Sequence, residues 1–237
     1  MPGAVVCLPT YNERENLEQV LDALEPHGVR VLVIDDNSPD GTGDLADRLA
    51  AERHWVSVLH RERKEGLGPA YLAGFREVLA GGAEYVLEMD ADLSHDPAVV
   101  PRLIEACTNG ADVALGSRYV EGGGTENWGR GRRIVSAGGS LYARLLLGVP
   151  VRDLTGGFKC FRREVLERID LDAVHSRGYA FQIELTYRAL RKGFRIVEVP
   201  IVFADRTHGH SKMSRGIFLE AVVRVPALRF AAVTGRL

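Results

Sequence analysis

The alternation of short apolar runs with helical patterns constrains the fold of this chain more than any other feature. Segment 29–34 is apolar apart from one arginine, as is typical of a parallel strand covered on both faces. The same alternation predicts strands over 4–8, 29–34, 56–60, 85–89 and 113–115, and helices over 13–24, 43–52, 69–79 and 97–108. Strands and helices in this order indicate an α/β fold with a mostly parallel sheet flanked by helices.

The composition is that of an ordinary globular protein. The chain has 237 residues, of which 46% are hydrophobic and 26% are charged, enough for one large domain or for one domain with a C-terminal extension. A net charge of −2 provides no general basic surface, so no nucleic-acid partner is expected. Cys7, Cys107 and Cys160 are far apart, which favours buried thiols over a zinc site or a disulfide framework.

Two apolar segments bear on the relation of the chain to membranes. Segments 134–149 and 217–233 are interrupted by charged residues, so neither is expected to span a bilayer. They can be interfacial helices whose arginines meet anionic headgroups, or ordinary core and lid helices. No basic region precedes the first apolar run, so no export signal is expected. We therefore expect a cytoplasmic protein that is peripheral on the cytoplasmic face of a membrane.

Carboxylates cluster where three of the predicted strands end. In open α/β sheets the ligand lies beyond the carboxyl ends of the strands. Segments 9–13, 35–42 and 90–97 read there as Pro-Thr-Tyr-Asn-Glu, Asp-Asp-Asn-Ser-Pro-Asp-Gly-Thr and Asp-Ala-Asp-Leu-Ser-His-Asp-Pro. The glycine-rich loops of dinucleotide and P-loop sites do not occur in the sequence. The site is therefore expected to be acidic, which suits a divalent cation and an anionic substrate.

Asp90 and Asp92 are the candidate metal ligands. They alternate at the end of an extended segment, so one carboxylate can reach a metal while the other reaches a ribose or a bound water. Hard oxygen ligands of this kind suit Mg²⁺ or Mn²⁺ bound to phosphate oxygens. The alternative is a solvated turn in which Ser94 or Asp96 caps the helix that begins near Pro97. We favour the cap for Asp96 and the metal for Asp90 and Asp92.

The other two strand ends are less specific. Asp35 and Asp36 precede a turn sequence that occurs in many loops, although two acidic clusters at neighbouring strand ends would repel each other without a cation. Tyr11 and Glu13 belong either to the start of a helix or to a nucleobase site. In such a site Tyr11 stacks on the base and Glu13 bonds to its edge.

The second half of the chain supplies cations for an anionic ligand. Arg118 follows the fifth strand, and segment 121–133 is glycine-rich and basic, which predicts a mobile loop. A late strand over 196–203 precedes the basic segment 205–212. Two histidines in that segment are spaced like a metal pair, but they flank a glycine, which favours a flexible loop without a metal.

Several motifs together resemble the dolichol-phosphate mannose synthases, also called polyprenol-monophosphate mannosyltransferases. These are inverting family-two glycosyltransferases with the glycosyltransferase-A fold. The resemblance extends from residue 5 to residue 213, through segments 8–13, 34–42, 89–95, 116–119, 153–158, 178–182, and 205–206 with 211–212. The first three motifs occur throughout family two, whereas the last four are narrower.

The resemblance implies a glycosyltransferase-A catalytic domain over 1–213 and a C-terminal amphipathic helix over 214–237 that is a candidate for membrane contact. It implies a GDP-mannose site made of Pro9, Tyr11, Glu13, Ile34, Asp36, Asp90, Ala91, Asp92, Arg118, Arg206 and Lys212. It implies that the acceptor phosphate is held by Arg118, Arg132, Ser136 and Arg206. The implied metal ligands are Asp92 first, then Asp90 and Ser94, although some relatives have Gln at the position of Ser94.

The expected reaction transfers mannose from GDP-mannose to a dolichyl or polyprenyl phosphate with inversion. A phosphate monoester, whose second pKa is about 6, is largely dianionic at neutral pH and is its own nucleophile. A general base is therefore not needed, and Asp90 is the candidate if one exists. Asp90, Asp92 and Arg118 are the expected catalytic residues, because two anions must be brought together and the departing GDP must be stabilised.

Three alternatives stay open. A polyprenyl-phosphate glucosyltransferase would use the same fold with UDP-glucose as donor. A phosphatase of the haloacid dehalogenase type also carries Asp-x-Asp after an apolar strand, but normally after its first strand, whereas segment 90–92 follows the fourth predicted strand. A non-catalytic nucleotide-sugar binder would have the same binding residues without turnover.

Overall fold

A central sheet with helices on both faces organises the chain. The computed structural model describes residues 3–176, 178–204, 215–235 and 237. Its strands are β1 (Ala4–Thr10), β2 (Arg30–Asp35), β3 (Val56–His60), β4 (Tyr85–Glu88), β5 (Val113–Ser117), β6 (Gly124–Thr125), β7 (Lys159–Arg162), β8 (Ile196–Pro200) and β9 (Val202–Phe203). Its helices are α1 (Arg14–Leu24), α2 (Thr42–Glu52), α3 (Leu67–Ala80), α4 (Val100–Thr108), α5 (Arg130–Leu147), α6 (Arg163–Arg168), α7 (Gly178–Arg191) and α8 (Arg215–Val233).

The central sheet formed by the described residues has seven strands and is parallel except for one. Its order is β3-β2-β1-β4-β7-β5-β8, and β7 pairs antiparallel with both β4 and β5. Thr10 of β1 lies beside Asp35 of β2, which lies beside His60 of β3. Since the carboxyl ends of parallel strands share one edge, the predicted ligand segments meet there. The predicted α/β fold is confirmed.

Side chains of β1 alternate between two cores, as the pleat of a strand requires. Val6 and Leu8 pack in the core beneath α1, α2 and α4, whereas Cys7 packs in the core beneath α3, α6 and α7. Helix α3 approaches the sheet closely, since a Cβ atom at Gly74 would lie 2.3 Å from Cδ1 of Ile34. The missing side chain at Gly74 therefore lets α3 rest directly on β2.

A third core joins helices α5, α7 and α8. Leu147 of α5 packs with Ile183 of α7 and with Val225 of α8. The hydroxyl of Tyr142 on α5 also donates to the carbonyl oxygen of Val222 on α8 at 3.1 Å. The C-terminal helix thus shares a core with the rest of the chain instead of extending away from it.

The outward sides of α5 and α8 are apolar. Ile134 and Leu145 of α5 are each 72% exposed, and Phe230 and Val233 of α8 are 66% and 72% exposed. Because Val225 is fully buried, apolar side chains lie on both sides of α8 over the residues whose side chains the structure describes, and this part of α8 does not show the expected amphipathic pattern. Within the described ranges, no helix combines the length and the apolar character needed to cross a bilayer.

Segment 121–133 is only in part the loop that its composition predicts. Part of it forms β6, which pairs parallel with β9, and its last residues form the first turn of α5. The backbone N–H groups of Gly124 and Glu126 donate to the carbonyl oxygens of Ile201 and Phe203, each at 2.9 Å. The prediction was wrong in this respect because a two-residue strand gives no periodic signal.

Two other strands differ from the sequence prediction. The expected strand over 196–203 is divided into β8 and β9, because the chain passes from one sheet to the other at Ile201. The Ile201 N–H donates to the carbonyl oxygen of Ser117 in the central sheet, at 3.0 Å, while its own carbonyl oxygen accepts from β6. Strand β7 was not predicted, since its sequence Lys-Cys-Phe-Arg contains no apolar run.

Candidate active site

Residues 90–95, which we call the acidic turn, follow β4 at the ligand edge of the sheet. Asp92 is only 5% exposed, and its Oδ1 accepts hydrogen bonds from the backbone N–H and the hydroxyl of Ser94, at 3.1 and 2.5 Å. Leu93 between them has a φ of 61°, a left-handed conformation that bends the chain sharply. Ser94, expected as a metal ligand, therefore orients the Asp92 carboxylate.

His95 completes the acidic turn and was not among the predicted site residues. Its Nδ1 accepts a hydrogen bond from the backbone N–H of Asp90 at 3.1 Å, so the neutral ring carries its proton on Nε2. The ring stacks on Phe158 with 4.8 Å between ring centres and meets Phe203 edge-on at 5.2 Å. Its position three residues after Asp92, at a strand end, is the signal that could have identified it.

Asp96 caps the short helix that follows the acidic turn. Its Oδ1 accepts from the backbone N–H of Ala98 at 2.9 Å, and Pro97 occupies the first helical position. The predicted capping role is confirmed.

The end of β2 separates its two carboxylates into different roles. Asp35 is buried and accepts from the backbone N–H and the hydroxyl of Ser38, at 3.1 and 2.6 Å, so it shapes the turn. Asp36 pairs instead with Arg61, whose Nη1 lies 2.5 Å from Oδ1. Burial raises the pKa of Asp36 above its ordinary value, although Arg61 opposes this effect. Arg61 was not predicted, since an arginine within a run of charged residues carries no distinctive pattern.

The end of β1 places two predicted nucleoside contacts at a partly exposed surface. Nζ of Lys64 lies 3.8 Å from the centre of the Tyr11 ring, and Oε2 of Glu13 accepts from the side-chain amide of Asn16 at 2.9 Å. Pro9 lies beside Ile34 in the β1–β2 pairing. Other predicted members are less accessible: the side chains of Ile34 and Ala91 lie within the two cores.

A buried charge pair lies directly beneath the acidic turn. Glu88 and Lys159 face each other across the β4–β7 pairing, with 3.6 Å between Oε2 and Nζ. The Lys159 ammonium also donates to the backbone carbonyl oxygen of Gln182 at 3.1 Å. Burial raises the pKa of Glu88 to about 7, even though Lys159 opposes the shift. Neither residue was predicted, although a charge inside a buried strand is a signal.

Arg118 lies on the other side of the edge in a bidentate ion pair. Its Nε and Nη2 donate to the two carboxylate oxygens of Asp153 at 2.8 and 2.7 Å, and Nη2 also donates to Thr155 at 2.9 Å. Burial disfavours the charged form, but the hydrogen bonds and charge of Asp153 outweigh it and raise the pKa of Arg118 above its ordinary value. Glu198 in turn accepts from the backbone N–H of Asp153 at 3.0 Å. Arg118 is thus fixed in place and remains charged.

Arg132 and Ser136 lie one helical turn apart on α5 and face the same region. The hydroxyl of Tyr119, the residue after Arg118, donates to the Ser136 hydroxyl at 2.7 Å. The guanidinium of Arg132 lies 4.0 Å from the centre of the Trp128 ring, and that of Arg118 lies 5.7 Å from the same ring. The structure therefore brings Arg118, Arg132 and Ser136 together, and we call these three residues the basic cluster. Trp128 was not predicted.

The remaining predicted site residues, Arg206 and Lys212, lie outside the described residues, as do His208 and His210. Across the part of the chain that the structure describes, no group of three or more His, Cys, Asp or Glu side chains is arranged to hold a metal ion.

Comparisons with known proteins identify relatives along nearly the whole chain. The family model for glycosyl transferase family 2 matches residues 5–170. The chain is 52% identical over 225 residues to a polyprenol monophosphomannose synthase from Mycolicibacterium smegmatis, covering 93% of this chain and 84% of that protein. It is 52% identical over 227 residues to an undecaprenyl-phosphate mannosyltransferase from Micrococcus luteus, covering 95% and 93% of the two chains.

Solved structures with low sequence identity share the fold. Glucosyl-3-phosphoglycerate synthase from Mycobacterium tuberculosis, in complex with Mn²⁺, UDP and glucosyl-3-phosphoglycerate, superposes with a TM-score of 0.64 at 21% identity, covering 98% of this chain and 79% of that one. A mannosyltransferase from Pyrobaculum calidifontis, in complex with GDP-Man and Mn²⁺, gives a TM-score of 0.59 at 15% identity, covering 99% and 74%. The overall fold described above is therefore that of a known architecture.

Proposed function

Because the chain belongs to glycosyl transferase family 2, we propose that it transfers mannose from GDP-mannose to a dolichyl or other polyprenyl phosphate, with inversion at the sugar. Relatives with 52% identity over almost the whole chain are named for mannose transfer to such lipids, which supports this acceptor class. Membership of a transferase family also argues against two alternatives, the haloacid dehalogenase-type phosphatase and the non-catalytic binder. The alternative that differs only in its donor, UDP-glucose, is left to experiment.

One juxtaposition carries the proposal. The ring of Phe203 contacts His95 of the acidic turn, with 5.2 Å between ring centres, and it also lies 5.4 Å from the guanidinium of Arg118. An acidic group suited to a metal diphosphate therefore lies next to a basic group suited to a phosphate monoester. A transferase that joins two anionic substrates needs this pairing of sites.

The acidic turn fits a divalent cation bound with a nucleoside diphosphate. Asp92 is held in one orientation by Ser94, and Asp90 adds a second hard oxygen donor. Mg²⁺ and Mn²⁺ are commonly held by one or two carboxylates together with substrate phosphates, so these two residues suffice. The bound ion supplies positive charge to the departing diphosphate. Tyr11, Glu13 and Asp36 are the proposed nucleoside contacts, together with Pro9, Ala91 and the backbone of Ile34.

The basic cluster fits the phosphate of the acceptor. Arginine can pair with phosphate through two parallel hydrogen bonds, and Ser136 adds a hydroxyl on the same helix face as Arg132. Because Asp153 already fixes Arg118, the Arg118 side chain loses little conformational entropy when it binds the acceptor phosphate. Arg206 and Lys212 are proposed as further phosphate contacts on the strength of the family resemblance.

The proposed chemistry requires no proton transfer to a protein base. An oxygen of the acceptor phosphate attacks the anomeric carbon of mannose, a new carbon–oxygen bond forms, and the bond to the diphosphate of GDP breaks. The attacking oxygen already carries charge at neutral pH, since the second pKa of a phosphate monoester is about 6. The protein's own residues hold the two anions in line and offset their repulsion.

The apolar surface of α5 and α8 supports a peripheral contact with the membrane that holds the acceptor. Ile134, Leu145 and Phe230 are each at least 66% exposed, and Arg144 and Arg224 lie on the same helices. Apolar side chains near arginines suit the boundary between acyl chains and anionic headgroups. Helix α5 also carries Arg132, so the proposed membrane surface leads directly to the acceptor site.

The test is transfer of radiolabelled sugar to a short polyprenyl phosphate from GDP-mannose, GDP-glucose or UDP-glucose, with and without a chelator. We expect lipid-linked product from GDP-mannose, loss of product with chelator, and recovery on addition of Mg²⁺ or Mn²⁺. Product from UDP-glucose alone would replace the donor, and absence of product from all three donors would overturn the proposed function.

A further inference from the structure

A chain of aromatic rings connects the acidic turn to the basic cluster. His95 contacts Phe203 edge-on, and Phe203 contacts Trp128 in the same manner, with 5.2 and 5.4 Å between ring centres. We call Trp128 and Phe203 the aromatic wall. Trp128 is 8% exposed, so its ring is held by packing in the segment between β6 and α5. The wall is a fixed surface between the two halves of the site.

Both arginines of the basic cluster lie on this wall. The guanidinium carbon of Arg132 is 4.0 Å from the centre of the Trp128 ring, and that of Arg118 is 5.7 Å away. A cation within about 6 Å of an indole ring is attracted by the negative face of that ring. The Trp128 ring therefore attracts the guanidinium groups of both arginines, of which Arg118 is also paired with Asp153.

The two arginines differ in how they are restrained. Arg118 is buried and doubly bonded to Asp153, so its position does not depend on the ring alone. Arg132 is partly exposed in the first turn of α5, and its long side chain has many rotamers to lose when it binds an anion. Contact with a buried ring reduces that loss. The Trp128 ring is therefore a restraint that acts on Arg132.

The polar group of Trp128 is not needed for this role. Its indole N–H is buried, and it has no hydrogen-bond partner among the described residues. The described surroundings therefore contact the ring and not its N–H, and a phenylalanine at this position would keep an aromatic face without breaking a hydrogen bond to any described residue.

We propose that Trp128 is a positioning residue for the acceptor, whose ring holds Arg132 beside Arg118 in the arrangement that receives the phosphate monoester. The inference rests on the proposed function, since it assigns these arginines to the acceptor. It goes beyond that function, because it proposes that an uncharged residue controls the affinity for one of the two anionic substrates.

The test compares Trp128→Leu with Trp128→Phe, and uses Trp55→Leu as the matched control. Trp55 is the other tryptophan of the chain, and an arginine lies 6.0 Å from its ring as well, but it lies beside β3 away from the basic cluster. We expect Trp128→Leu to raise the KM for polyprenyl phosphate about tenfold, the scale of a lost desolvated cation–π contact. The KM for GDP-mannose should stay within about twofold. Trp128→Phe should recover most of the acceptor affinity, and Trp55→Leu should leave both constants unchanged.

Two results would overturn the inference: equal changes in both KM values, or an acceptor KM that Trp128→Leu leaves unchanged. If Trp128→Leu does not fold, the fluorescence of the Trp55→Phe protein provides a second test, because Trp128 is then its only tryptophan. Its emission should change on saturation with a short polyprenyl phosphate, and unchanged emission would equally overturn the inference. Failure of the wild-type protein to transfer mannose at all would instead count against the proposed function.

Discussion

The acidic turn and the basic cluster are assembled in different ways, although they lie side by side. The acidic turn consists of consecutive residues that follow a buried strand, and hydrogen bonds between residues no more than five apart fix it. The basic cluster combines Arg118, which follows β5, with Arg132 and Ser136 of α5, and it is held by the ion pair with Asp153 and by an aromatic ring. One half of the site is therefore local in sequence, whereas the other depends on the completed tertiary fold.

The largest expected effect concerns the ion pair that fixes the basic cluster. Asp153→Asn keeps the shape of the side chain but removes the negative charge beside the buried Arg118. Breaking a buried ion pair in this way costs about 3–5 kcal/mol, because the remaining charge is left without a partner. Urea unfolding of the two proteins measures the loss directly.

Asp172→Asn is the control for that experiment. Asp172 also pairs with an arginine, Arg76 at 2.5 Å, but its side chain is 87% exposed. Its replacement should change stability by less than about 1 kcal/mol, as is usual for surface pairs. Similar losses in the two variants would show that the basic cluster does not depend on burial of its ion pair.

Substitution of Asp92 in the acidic turn should lower activity and leave stability nearly unchanged. Asp92→Asn removes the anionic oxygen that a hard cation requires, and we expect kcat/KM to fall at least about a hundredfold, as on loss of a preorganised electrostatic contact. The melting temperature without ligand should stay close to that of the wild type. Mn²⁺ with GDP should raise the melting temperature of the wild type by mass action, but not that of Asp92→Asn.

Asp96→Asn, at the residue directly after the acidic turn, provides the control. Asparagine also caps helices, so transfer and melting should both change little. Equal stabilisation of wild type and Asp92→Asn by Mn²⁺ and GDP would exclude Asp92 from the metal site.

Replacement of Arg132 should affect the use of the acceptor and not that of the donor. Arg132→Ala removes one charge-assisted contact of about 1.5–3 kcal/mol, so kcat/KM for polyprenyl phosphate should fall by about 10- to 150-fold. The adjacent Arg133 is exposed and donates to the carbonyl oxygen of Thr125 at 3.3 Å, so Arg133→Ala should stay within about twofold. An equal loss in both variants would indicate a general effect of positive charge on the lipid substrate.

The smallest effect is expected at the apolar surface of α5. Leu145→Glu places a negative charge on an exposed apolar position, and binding to anionic liposomes should fall at least about threefold in a flotation assay. Ala51→Glu adds the same charge on the exposed side of α2 and should leave binding unchanged. If wild-type protein does not float with liposomes even at low salt, the proposed membrane contact is wrong.

The same contrast explains what the sequence could predict. The strands β1 to β5 and the acidic turn were predicted because a buried strand followed by carboxylates is a local and periodic pattern. The structure also places Asp96 as the cap that the sequence predicted. The family resemblance supplied Arg132 and Ser136, which no spacing in the sequence would have joined to Arg118.

Several of the missed residues act through a partner that is distant in sequence, whereas His95 bonds within the acidic turn. Arg61 pairs with Asp36, Asp153 with Arg118, and Trp128 with Phe203. Such pairs form only after the sheet brings them together, and they leave no repeat along the chain. The segment containing Trp128 was predicted as a loop for the same reason, because its short strand finds its partner only at β9.

The position of β7 has a consequence for how the protein is made. This strand follows both β4 and β5 in the chain, yet it lies between them and joins them. A nascent chain that has not reached Lys159 therefore has β3, β2, β1 and β4 as one group and β5 by itself, and β4 lacks one of its neighbours. Pairings of this sequence separation form slowly compared with local ones. The acidic turn, although local in sequence, thus gains its full support late in synthesis, when the ribosome has passed the middle of the chain.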